Sequence, residues 1–85
     1  MRITFKLYAS LSEYLPADRR QGNVLTLDDV ADGTTILQLI EPYGLPVKLV
    51  HLVLVNGVFI PPEQRAERVL VDGDVLAIWP PVAGG

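Results

Sequence analysis

The chain has 85 residues, seven basic and ten acidic side chains, one histidine and no cysteine, giving a net charge of −3. That length holds one domain, which buries only about 60–65% of the surface its unfolded form exposes, and 49% hydrophobic with 20% charged residues argues against disorder. The composition excludes disulfides, a thiol nucleophile and cysteine-based metal centres, and the acidic balance argues against a protein that neutralises nucleic-acid phosphates. The longest apolar run, Leu49 to Val55, contains His51 and is too short to span a membrane. The opening residues follow a strand pattern and not the layout of a signal peptide, so a cytoplasmic protein is expected.

Arg2 to Ala9 alternates, with Ile3, Phe5 and Leu7 on one face and Arg2, Thr4, Lys6 and Tyr8 on the other, which predicts a half-buried strand. Ser10 to Leu15 reads as a turn or one helical turn stopped by Pro16, and Ala17 to Asn23 as a polar loop. Val24 to Leu27 is expected to return as the hairpin partner of the first strand. Asp32-Gly33-Thr34-Thr35 leads into a helix with Thr34 as the expected N-cap. Ile36, Leu39, Ile40 and Tyr43 supply its apolar face, Pro42 limits it, and Gly44 with Pro46 ends it. Val50 to Val55 is apolar on both faces apart from His51, as in a central strand, and Asn56-Gly57 is a strong hairpin signal before Val58 to Ile60. Glu63 to Arg68 is polar, with Arg65, Glu67 and Arg68 read as a solvated face. After the Asp72-Gly73 turn, Val75 to Trp79 forms the last strand.

These elements predict an α+β domain, a mixed sheet of four to five strands with one main helix across one face. The β-grasp arrangement satisfies this order, and the pairing of first and last strands as parallel neighbours at the sheet centre is taken by analogy with it. The domain is placed at residues 1–79 and an extended, flexible tail at 80–85. Pro80 and Pro81 favour a polyproline-like exit and cannot donate to a sheet ladder. Gly84 and Gly85 lack a Cβ, so such an end can thread a narrow channel. A terminal carboxylate is inert until one oxygen becomes a leaving group. ATP achieves this through an acyl-adenylate, from which a sulfur or amine nucleophile displaces AMP.

Asp72-Gly73-Asp74, a short apolar strand and Pro80-Pro81-Val82-Ala83-Gly84-Gly85 together resemble the end of the ubiquitin-like sulfur-carrier proteins, most nearly the small subunit of molybdopterin synthase. Val55-Asn56-Gly57 and the opening Leu7-Tyr8-Ala9-Ser10-Leu11-Ser12-Glu13 are similar to the same pattern, which runs along nearly the whole chain. Departures fall at Val75, Pro42 and Ser12, none of them in the tail. The resemblance implies a β-grasp substrate protein with no catalytic residues of its own. A ubiquitin-activating-like adenylyltransferase uses ATP on Gly85, sulfur from a persulfide makes a thiocarboxylate, and Gly84 gives clearance. The acceptor it implies is the large subunit of molybdopterin synthase or another sulfur-accepting enzyme, in molybdenum or tungsten cofactor synthesis. Thiamine-type or other sulfur carriers, a ubiquitin-like modifier joined to lysines, and a β-grasp interaction module with an inert tail are the alternatives. By position, Tyr8, Phe59, Trp79, Pro80, Pro81 and Val82 correspond to the family's docking surface. Outward placement of Tyr8 and Trp79 agrees with this reading, whereas Trp79 and Phe59 could equally complete the core.

The remaining polar residues read as structural. His51 is expected to be a structural or edge-exposed histidine, and Asp72 and Asp74 ordinary turn carboxylates. Asp28, Asp29 and Asp32 read as a solvated turn near the helix start. No metal, nucleic acid or membrane partner is expected, and with no glycine-rich phosphate loop the chain should bind no cofactor, ATP being used by the activating partner.

Overall fold

The computed structural model describes residues 1–81. Five strands form one sheet: β1 (Ile3–Leu7), β2 (Val24–Leu27), β3 (Leu52–Val55), β4 (Val58–Phe59) and β5 (Val75–Trp79), in the order β2-β1-β5-β3-β4. The first and last strands run parallel at the centre, with Phe5 opposite Leu76 and Leu7 opposite Ile78. The other pairings are antiparallel. With the helix α1 (Ile36–Ile40) across one face, this is the β-grasp, ubiquitin-like fold that the element order suggested.

Alternation explains which face the helix covers. Ile3, Phe5 and Leu7 of β1, Leu76 and Ile78 of β5, and Val53 and Val55 of β3 are all buried, and Ile36, Leu39 and Ile40 close over them. Below the helix, Tyr43 packs on Phe5 with ring centroids 5.1 Å apart. Burial raises the pKa of the Tyr43 phenol above its ordinary value, with nearby Arg19 acting in the opposite sense.

The helix begins one residue later than the sequence suggests. Thr34 spends its hydroxyl on the Ala31 carbonyl, 2.7 Å away, closing the Asp32-Gly33 turn. Thr35, extended at φ −87° and ψ 168°, is the N-cap instead, and forms a reciprocal capping box with Gln38. Five residues of α-helix tighten into a 3-10 turn at Glu41–Tyr43, which carries Pro42 and stops at Gly44, in the left-handed region at φ 66°.

Two further expectations are corrected. The strand predicted from Val50 begins at Leu52, preceded by a 3-10 turn at Val47–Leu49, and it is buried on one face only, since Leu52 is exposed and Leu54 half-buried. The later start is explained by the polar segment read as a solvated face. Arg65 turns inward, is 5% exposed, and donates Nε to the Ile60 carbonyl and its two terminal nitrogens to the Val50 and His51 carbonyls. One planar guanidinium thus ties the approach to β3 to the segment after β4.

The turn residues behave as ordinary turn chemistry predicts. Asn56 and Gly57 take φ 51° and 82°, the two positive values a tight β3–β4 hairpin requires. Asp74, buried, accepts from Asn56 Nδ2 at 2.8 Å and from the Val71 amide at 2.9 Å, while Asn56 Oδ1 accepts from the Val75 amide. Asp72 accepts from the Arg2 amide. These carboxylates lock the start of β5 against β1 and the hairpin.

Arg65→Ala should lower stability by about 2–4 kcal/mol, because three carbonyls in a largely buried position lose a charged donor. The exposed Arg68→Ala should cost under about 0.5 kcal/mol. Urea unfolding followed by circular dichroism measures both, and equal effects would refute the anchoring role.

Candidate functional site

On the face of the sheet turned away from the helix, alternation collects a second set of side chains. Tyr8 follows directly from β1, and its amide donates to the Ile78 carbonyl at 3.0 Å, extending the β1–β5 ladder by one step. This sets Tyr8 beside Trp79, and the two rings stack face to face at 4.0 Å with planes 6° apart. Leu52 lies opposite Trp79, Leu54 opposite Ala77, and Phe59 opposite Leu54. Residues opposite one another in an antiparallel pair share a face, so these side chains form a continuous apolar surface across β5, β3 and β4. Lys6, aligned with Ala77, borders it on β1.

Of the three aromatic residues singled out from the sequence, Tyr8 and Trp79 are therefore in contact. Phe59 shares their face two strands over, on the order of 10 Å away. The alternative that Trp79 and Phe59 complete the core fails, because both lie opposite the buried Leu76–Ile78 side. Phe59 is 50% exposed, and each ring of the stack is half-buried by the other. Sequence reading missed Leu52 and Leu54 because it took their strand as buried on both faces.

The chain leaves the sheet at the stack. The Trp79 carbonyl accepts from the His51 amide at 3.2 Å, the last rung of the ladder, and half-buried Pro80 and exposed Pro81 follow. Val82, Gly84 and Gly85 lie outside the described residues. His51 is exposed and contributes its backbone to this rung, in keeping with a structural histidine at an edge. Asp28 forms an ion pair with Arg2 at 2.9 Å, both well exposed. Among the described residues, no three histidine, aspartate or glutamate side chains converge closely enough to hold a metal ion, and no helix is long and apolar enough to cross a membrane.

A five-stranded β-grasp sheet with a capped short helix on one face and an apolar surface on the other defines a ubiquitin-like protein. The chain belongs to the family described as Mut7-C ubiquitin, whose pattern it matches over residues 1–84. Among solved structures it is similar to the crystal structure of SAMP1 from Haloferax volcanii, with a TM-score of 0.69, 24% identity and both chains covered in full. At that identity the likeness shows the fold. No curated protein matches the chain.

If the apolar face is surface and not core, Phe59→Lys should change unfolding stability by less than about 1 kcal/mol, whereas Ile78→Lys should prevent folding. Thermal denaturation read by circular dichroism decides it, and similar losses for both would contradict the assignment of faces.

Proposed function

We propose that this protein is a cytoplasmic sulfur carrier whose reacting group is the carboxyl of Gly85, taken as the terminal residue of the working protein. The observation that carries the reading is the position of the exit. The central strand β5 ends at an aromatic stack set in an apolar surface, and the next residues are two prolines, with Gly84-Gly85 shortly beyond them in the sequence. A partner seated on Tyr8, Trp79, Leu52 and Phe59 would meet Pro80-Pro81 as the chain leaves the sheet. Two prolines stiffen such a segment, so its end would be presented with less entropy lost on capture than a flexible linker would lose.

The chemistry belongs to the partners. In a ubiquitin-activating-like adenylyltransferase, the Gly85 carboxylate attacks the α-phosphorus of ATP and pyrophosphate leaves. A persulfide sulfur then attacks the acyl carbon and AMP departs. A thiol cleaves the resulting sulfur–sulfur bond, which frees the thiocarboxylate and leaves a disulfide on the donor side. Gly84 has no Cβ, which allows close approach of the activating enzyme along this segment. The absence of cysteine in the chain is compatible with a carrier that holds sulfur on its terminus. We place the acceptor in molybdopterin synthesis, as a large synthase subunit that docks on the same apolar surface.

The test is the intact mass of the protein purified with its native terminus, before and after incubation with ATP, activating enzyme and a sulfur donor. Replacement of one oxygen by sulfur, mapped to Gly85, is expected, and removing Gly85 should abolish it with the fold unchanged. An unmodified mass under all conditions would overturn the reading, and isopeptide adducts on lysines of other proteins would replace it by a modifier role. Phe59→Lys should weaken binding to the activating enzyme by about tenfold or more, as expected of an exposed apolar anchor, and unchanged affinity would remove Phe59 from the docking surface.

A further inference from the structure

Arg65 lines a groove that the proposed carrier role leaves unused. The groove has a volume of about 420 Å³ and lies on the helix side of the sheet, between α1 and the segments before β3 and after β4. Its walls are apolar and include Leu37 and Ile40 from α1, Val47 and Val50 from the approach to β3, and Pro62. Leu37 is 42% and Val47 89% exposed, so the opening faces solvent. Two lining residues carry polar side chains, the buried Arg65 and the exposed His51.

The charge on Arg65 is unusual for its depth. Nε and the two terminal nitrogens donate to the Ile60, Val50 and His51 carbonyls at 2.9, 3.2 and 3.0 Å. A guanidinium has five N–H groups, so these three bonds leave one N–H on each terminal nitrogen. Carbonyls satisfy hydrogen bonds but carry no net charge, and a buried cation is ordinarily matched by an anion. Among the described residues no carboxylate lies within ion-pair distance of Arg65. Burial lowers its pKa from the ordinary value, and the exposed Glu63 acts in the opposite sense from farther away.

The backbone around the groove is already committed. The Val50 and His51 carbonyls accept from Arg65, and their amides donate to the Val47 and Trp79 carbonyls. The Leu37 amide donates to the Arg65 carbonyl, and Pro62 has no N–H. An extended peptide would find little here to pair with. A ligand with one anionic group and an apolar body meets both features of the site.

We infer that this groove binds a small apolar carboxylate, a free medium-chain carboxylic acid in its ionised form. Its carboxylate accepts from the two spare N–H groups of Arg65, and its hydrocarbon body lies between Leu37, Val47 and Pro62. The site is on the opposite side of the sheet from Phe59 and does not involve Gly85, so its failure would leave the carrier reading intact.

Titration of the isotopically labelled full chain with octanoate, followed by NMR, tests the inference. Saturable shifts centred on Leu37, Val47 and the Arg65 side-chain Nε–H are expected. Octanol, which lacks the charge, and acetate, which lacks the hydrocarbon, should each bind about tenfold more weakly. Val47→Glu, an exposed change compatible with folding, should weaken octanoate about fivefold, through a lost apolar contact and a like charge at the opening. Absence of saturable binding, unchanged affinity in Val47→Glu, or shifts centred on Phe59 and Trp79 would overturn the site. Equal binding of octanol would overturn the part of Arg65, and equal binding of acetate the part of the apolar walls. A short leucine-ended peptide with a free carboxylate should bind more weakly than octanoate. Tighter binding of that peptide would make the occupant a protein C-terminus and overturn a small-molecule ligand.

Discussion

The structure depends on the parallel pairing of β1 with β5, which joins the two ends of the chain at the centre of one sheet. Bringing such distant residues together costs only about 2–3 kcal/mol more than closing a short hairpin, since loop-closure entropy grows with the logarithm of length. The pairing buries Phe5, Leu7, Leu76 and Ile78 side by side, and at roughly 1.5–3 kcal/mol each these four contribute about 6–12 kcal/mol. Burial therefore outweighs closure. The helix, too short to persist alone in water, depends on the face that this pairing creates.

A central β5 also determines how the two faces differ. Its even-numbered residues, Leu76 and Ile78, enter the core, while Val75, Ala77 and Trp79 turn the other way, toward Leu52, Leu54 and Phe59. A strand in the middle of a sheet has no free backbone to offer a partner, so recognition near the chain's exit must come from side chains. That is why the exit is marked by an aromatic stack and an apolar surface. At the β2 edge the balance is reversed. There the open group is backbone, with the Asp28-Asp29 bulge and the Gln21–Val24 bridge limiting it to the region of Thr26.

Much of this was legible in the sequence because it rests on local rules. Alternation in Arg2 to Ala9 gave the correct inner face, Asn56-Gly57 marked the hairpin, and Pro42 with Gly44 set the helix end. What escaped were residues whose roles arise from distant partners. Arg65 sits among polar neighbours and reads as solvated until the Val50, His51 and Ile60 carbonyls are brought around it. Thr34 and Thr35 are equally good caps by residue type. The choice between them is made by the Ala31 carbonyl, which takes the first hydroxyl, and by the bridge from Thr35 to Val69. Leu52 and Leu54 were misjudged because an apolar strand covered on both sides and one awaiting a partner have the same sequence. Tyr8 and Trp79 were rightly placed outward, but only the parallel register shows that they touch.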